Sequence, residues 1–208
     1  MDNLLFARVQ LNKLDKQLAV DQLSKIDKKH WFWDPYRATN MLPLMTRDSV
    51  PGAEGSSNSR DGDFKWLPYT PEIIKTWFED QVFPWMGMKT RIMALLTVPN
   101  FSNNEHIDCD LSEIGTKQHK FRIVLKGRTG TLYFKTKTGD VAVPDIEDAF
   151  VMDGGWPHGM INDSDEFKLT IAAGAPWIGN DSYDNVDVML TRSEFQIPDD
   201  VSEWLKKK

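Results

Sequence analysis

His106 and Asp108 stand one residue apart, and His158 follows fifty positions after Asp108. On a strand, side chains alternate faces, so residues i and i+2 point the same way. A second imidazole at His158, brought back by a hairpin or barrel closure, completes a set of two histidines and one carboxylate. Such a set occupies one face of an octahedral metal and leaves three positions open, the ligand pattern of a non-heme Fe(II) centre. Nitrogen and hard oxygen donors together suit Fe(II), Mn(II), Co(II) or Zn(II). The plainer reading is that His106 is a surface loop residue and that Asp108 caps a turn.

The context of His158 favours the metal. It lies in Gly154-Gly155-Trp156-Pro157-His158-Gly159-Met160-Ile161-Asn162, a turn running into an apolar strand. Of the four histidines, His30 falls in an aromatic segment and reads as structural. His119, beside Lys117 and Lys120, reads as exposed. Cys109 alternates away from Asp108 and is not expected to be a ligand.

The elements that must position these groups are legible in outline. Leu14, Leu18, Leu23 and Ile26 support an amphipathic helix. The segment from His30 to Tyr36 is an aromatic cluster that either packs over the core or walls a pocket. Residues 46–64 read as a long loop rich in turn formers, a candidate lid. Thr70 and Pro71 predict a helix start, Ile73, Ile74, Trp77, Phe78 and Val82 its apolar stripe, and Pro84 its end. From Lys89 onward the pattern changes. Strands are predicted at Arg91–Val98, Lys120–Lys126, Thr129–Lys135, Asp148–Met152, Phe167–Ala173 and Val186–Leu190, punctuated by glycine and proline. Val201–Leu205 predicts a short closing helix. The reading is one domain over 1–208. Residues 1–88 are mainly helical or irregular and 89–192 are an antiparallel sandwich or jelly roll.

The 208 residues are 40% hydrophobic and 27% charged, as expected of a globular protein. A net charge of −6 argues against a nucleic-acid backbone as partner. One cysteine permits no internal disulfide. No apolar run approaches the roughly 18 residues of a membrane span, and the first residues lack the features of a secretory signal. The expectation is a cytoplasmic protein with no membrane or nucleic-acid partner. The Lys206-Lys207-Lys208 run reads as a solvated tail.

His106-x-Asp108, His158 and a cation ten positions on at Lys168 resemble the 2-oxoglutarate- and iron-dependent oxygenases. The closest branch is the aspartyl/asparaginyl β-hydroxylase-like group with the cis-type proline hydroxylases. Asp153 to Ala173 is similar to that group's final motif, with Asn162 and Lys168 in place. Phe121-Arg122-Ile123-Val124-Leu125 resembles its arginine-bearing strand. The resemblance covers roughly residues 65–177 and departs at Lys168, where arginine is common. Lysine offers a point charge instead of a bidentate fork.

The resemblance implies a mainly β fold with flanking helices around a double-stranded β-helix core, the jelly roll of the cupins. His106, Asp108 and His158 would hold Fe(II). The metal would be chelated by 2-oxoglutarate, whose far carboxylate needs a buried cation. Lys168 is the first choice for that partner and Arg122 the second, with Asn162 as a further cosubstrate contact. Arg122 alternatively pairs with Asp110 or Glu113. Trp156 and Arg91 are substrate-pocket candidates. The implied reaction consumes O2 and hydroxylates a C–H bond of a peptide side chain, an amino acid or a small metabolite. Two alternatives stay open: a cupin-like metal enzyme that does not use 2-oxoglutarate, with Glu113 as an extra ligand, and a non-enzymatic jelly-roll binding module.

Overall fold

The computed structural model describes residues 4–35, 39–47, 63–108, 119–173 and 185–195. Its elements run β1 (Leu4–Val9), α1 (Lys16–Leu23), β2 (Phe32–Asp34), β3 (Thr39–Arg47), β4 (Phe64–Trp66), α2 (Glu72–Trp77), α3 (Phe83–Met86), β5 (Ile92–Thr97) and β6 (Phe101–His106). Then follow β7 (His119–Lys126), β8 (Leu132–Thr136), β9 (Gly139–Ala142), β10 (Ala149–Asp153), β11 (His158–Asn162), β12 (Lys168–Ala173) and β13 (Val186–Thr191). Among the described residues they build two antiparallel sheets. The larger has the order β13-β1-β10-β7-β12-β5-β3-β2, with β4 also on β3, and the smaller β6-β11-β8-β9. From β5 onward the chain passes back and forth between the two sheets, which makes the core a double-stranded β-helix.

Strand alternation splits the apolar residues into two cores. Phe121, Ile123 and Leu125 of β7, Val151 of β10 and Ile171 of β12 face the helical layer with Trp77, Phe78, Phe83 and Met86. Phe121 has Trp85, Trp77 and Phe78 within 5.7, 6.1 and 6.1 Å, ring centre to ring centre. The opposite face carries Phe6, Val124, Phe150 and Met152, which meet Leu132, Phe134 and Trp156 between the sheets. Arg122, Lys168 and Thr170 share the second face, so polar groups are carried into the space between the sheets by alternation alone.

The N-terminal third departs from expectation. Leu4–Val9 is a strand inside the large sheet, between β10 and β13. Its Leu-Leu-Phe-Ala run is buried on both faces, so no alternation marks it. Thr39–Arg47 is a nine-residue strand despite Pro43, because the β3–β5 register shifts between Pro43 and Met45. A proline, having no N–H to give the ladder, is tolerated at such a bulge. Of the aromatic cluster, Trp31 packs against the core while Phe32 and Trp33 are largely exposed.

The predicted helix is also built differently. Thr70 donates its hydroxyl to the Leu44 carbonyl instead of capping, and Pro71 occupies the cap. After α2 the backbone widens into a π-turn over Phe78–Val82 before α3. Pro84 lies inside that last turn, at a position where its missing N–H costs little, and the helix ends at Gly87 with φ +70°. Most of the 46–64 loop, Cys109, Asp110, Glu113, the 201–205 segment and the terminal lysines lie outside the described residues. No described helix is long and apolar enough to cross a membrane.

Candidate metal centre

His106 ends β6 and His158 opens β11, and the two are direct cross-strand partners. Facing residues on antiparallel strands bring their side chains together, and the imidazole centres lie 4.6 Å apart. The reading of 99–104 as a turn shortens to Pro99-Asn100, where Asn100 adopts φ +51° and β6 begins at once. Asp108 lies two residues past His106, held by its backbone N–H on the Gly154 carbonyl at 2.6 Å. The strand has ended there, yet the carboxylate still faces the histidines. His106 Nε2 is 3.4 Å from one carboxylate oxygen and His158 Nε2 is 3.6 Å from the other. One ligand atom from each residue lies within 4.8 Å of the others.

The donor set fits a divalent ion. The two histidine-to-carboxylate gaps, at 3.4 and 3.6 Å, stand close to the roughly 3 Å between adjacent ligands on an octahedral ion with bonds of about 2.1 Å. His158 Nδ1 is 2.8 Å from the Trp156 carbonyl, an acceptor only, so Nδ1 carries the proton and Nε2 presents a lone pair. That Nε2 is buried and has no hydrogen-bond partner among the described residues. Burial also pushes the His158 imidazole below its ordinary value, which favours the neutral, ligating form. Phe134 pairs with His158 across β8 and packs 6.1 Å from its ring.

Arg122 reaches the same cluster from the centre of β7. Its guanidinium donates to Asp108, the alternative partners Asp110 and Glu113 lie outside the described residues, and its Nε is buried without a partner among the described residues. Burial alone would raise the Asp108 carboxyl. The Arg122 charge and the two imidazoles reverse this and hold it well below the usual carboxylate range.

The remaining candidates separate. Lys168 is on the same inner face, four residues along β12 from Ala172, the cross-strand neighbour of Arg122. That separation is about 13 Å of strand. It is 2% exposed, and its ammonium donates to the Arg128 carbonyl at 2.6 Å and to the Thr131 hydroxyl. Burial, helped by Arg122, pushes its pKa down to about 7. Asn162 is committed to the protein itself. Its amide donates to the carbonyls of Glu166 at 2.7 Å and Val98 at 3.0 Å, with Thr97 at 3.4 Å, while Ser164 donates to its oxygen. It fastens the end of β5 to the turn before β12. Trp156 is buried between the sheets: its indole donates to the Lys135 carbonyl at 2.6 Å and lies under Arg192. Arg91 is half-buried just before β5, on the same alternation as inward-facing Met93.

His119 is buried, not exposed, opposite Asp153 in the middle of the large sheet. Its lysine neighbour in sequence, Lys120, is buried as well, on the alternation that carries Arg122 inward. Sequence reasoning missed both because adjacent charges look like a solvated surface. Their place is set by β7 having a strand on each side. His30 packs 4.2 Å from Tyr69, ring centre to ring centre, a structural contact.

No protein-family model matches the chain, and no curated protein matches it. Solved structures do. A prolyl hydroxylase from Trichoplax adhaerens, in complex with a hypoxia inducible factor oxygen degradation domain peptide fragment, aligns with a TM-score of 0.54. The alignment covers 83% of this chain and 82% of that one at 12% identity. An oxidoreductase of the 2OG-Fe(II) oxygenase family from Burkholderia pseudomallei aligns over 80% and 82% with a TM-score of 0.49 and 11% identity. A cupin 2 conserved barrel domain protein from Salinispora arenicola aligns over 71% and 82% with a TM-score of 0.37 and 14% identity. At such identities the likeness is one of fold.

Proposed function

We propose that this protein is an Fe(II)- and 2-oxoglutarate-dependent dioxygenase that hydroxylates a C–H bond of an amino acid, a peptide side chain or a small metabolite. The observation that carries the reading is the convergence of His106, Asp108 and His158, with the buried Nε2 of His158, unpartnered among the described residues, turned toward the carboxylate. The three side chains would hold the iron on one face and leave the opposite face for cosubstrate and O2. When bound, the iron and 2-oxoglutarate supply oxidative decarboxylation to succinate coupled to oxygen transfer.

This chain's residues then have separable tasks. The Trp156 carbonyl fixes the His158 tautomer, and Arg122 keeps Asp108 ionised and aimed. Arg122 Nε, a buried donor without a partner among the described residues, is available for the nearer carboxylate of the cosubstrate. Lys168 supplies the charge for the far carboxylate, which a dry wall would otherwise penalise heavily. Asn162 acts indirectly, through the backbone of β5. Phe134, Val124 and Phe150 keep water from the floor of the site. The Trichoplax neighbour was solved with a peptide bound, and a peptide is one of the substrates this reading allows.

The test is anaerobic purification, addition of Fe(II) and 2-oxoglutarate, exposure to air and measurement of succinate with and without candidate substrates. Succinate that disappears in His106→Ala and His158→Ala supports the proposal. A cupin-like enzyme that does not use 2-oxoglutarate predicts a thermal response to Mn(II) but none to N-oxalylglycine. A non-enzymatic module predicts a response to neither.

A further inference from the structure

Two hydrogen bonds that orient the candidate ligands end in one turn, residues 154–157 between β10 and β11. The Gly154 carbonyl accepts the Asp108 N–H, and the Trp156 carbonyl accepts His158 Nδ1–H. Asp153, the last residue of β10, holds that turn from within. Its carboxylate accepts the Gly155 N–H at 3.0 Å, and its backbone carbonyl accepts the Trp156 N–H at 3.5 Å. The other carboxylate oxygen takes Arg192 Nε at 2.5 Å. Arg192 stands just past β13 and reaches across β1, whose Phe6 has Leu190 of β13 on one side and Met152 of β10 on the other. The guanidinium also lies 5.5 Å from the Trp156 ring centre. One side chain therefore grips the residue before the turn and covers a residue within it.

Asp153 and Arg192 are 0% and 3% exposed. A buried ion pair gains little stability over apolar side chains of similar volume, because both charges must leave water. What this pair supplies is direction. We propose that Arg192 and Asp153 are positioning residues for the metal centre, fixing the 154–157 turn so that its two carbonyls hold Asp108 and His158 in ligating geometry. This rests on the metal site of the function proposed above. Neither residue touches a ligand side chain. They act through the Gly154 and Trp156 carbonyls, as outer groups do when they orient the groups that bind a metal.

The test follows Mn(II) binding to the full chain by calorimetry, at a temperature where every variant compared is folded. Arg192→Met should weaken Mn(II) about tenfold, the lower end of the cost of losing a supporting group. That variant leaves Asp153 buried without its cation, so a second one guards against misfolding. The double variant Asp153→Asn with Arg192→Met removes both charges and keeps an oxygen for the Gly155 N–H. It should also bind Mn(II) about tenfold more weakly. Leu23→Ala, on the buried side of α1, lowers the melting temperature without touching the turn and should keep the wild-type Mn(II) affinity. The electron paramagnetic resonance of bound Mn(II) should broaden in the two turn variants and not in Leu23→Ala. Wild-type Mn(II) affinity in the Arg192 variants overturns the assignment and leaves the proposed function standing. Equal weakening in Leu23→Ala also overturns it, since metal binding would then follow global stability. A wild-type protein that binds no Mn(II) removes the proposed function and this inference together.

Discussion

Arg122 and Asp108 form an ion pair in which the guanidinium holds the one carboxylate that both histidines face. The pair is nearly closed to solvent, with side-chain exposures of 14% and 8%. A candidate metal ligand is thus kept charged and oriented by a neighbour on a different sheet. That arrangement makes the arginine a positioning residue whose loss is read first in metal affinity and stability.

Arg122→Met should weaken Mn(II) binding by about 10–100-fold without abolishing it, the usual cost of removing a group that supports a ligand. It leaves Asp108 buried without its cation, so the unliganded protein should lose about 3–5 kcal/mol. Part of that should return when metal is added. Thermal melts with and without Mn(II) measure both effects.

His158→Ala should abolish the metal-dependent rise in melting temperature. Without metal it should cost less than Arg122→Met, because the Nε2 it removes makes no hydrogen bond among the described residues. Truncating a buried ring still leaves a cavity, at about 2–4 kcal/mol.

Cosubstrate affinity should depend on pH through Lys168, whose pKa lies at about 7. A bound carboxylate favours the ammonium and raises that value. The dissociation constant for 2-oxoglutarate should therefore be flat below pH 7 and rise by up to about tenfold per unit above it. Stability runs in the same window. The folded pKa is below the unfolded one, so the native state binds fewer protons between about 7 and 10.5. Its stability should climb with pH there, and the penalty of burying the ammonium is full below pH 7. Lys168→Arg should flatten the affinity profile, since arginine stays charged. Calorimetric titrations at pH 6, 7, 8 and 9 decide the point.

Gly159→Ala should disturb the centre from outside. A Cβ at Gly159 would meet the Tyr133 hydroxyl at 2.4 Å and the adjoining ring carbon at 2.6 Å. The ring must move, or β11 must shift and take His158 with it. The expected loss is about 1–3 kcal/mol, together with weaker Mn(II) binding. The double variant Gly159→Ala with Tyr133→Ser should restore the metal response, as thermal melts with Mn(II) would show.

What the sequence determined by itself is local. The i, i+2 spacing placed His106 and Asp108 on one side, and the tract around His158 was readable as a turn entering a strand. Six strands from β5 to β13 were visible as apolar runs bounded by glycine and proline. Alternation along β7 already implied that Arg122 and Phe121 face opposite ways. The buried N-terminal strand β1 was not legible, because a strand covered on both faces loses its period. Proline hid β3, and adjacent lysines disguised the burial of His119.

Tertiary structure decided which distant groups meet. His158 faces His106 because β11 pairs with β6 in that register, and a slip of one residue would turn it away. The Asp108 contact of Arg122, the commitment of Asn162 to three carbonyls and the burial of Trp156 between the sheets were fixed the same way. Burial on both sides and cross-strand register are properties of the assembled sheets, and no single segment carries them.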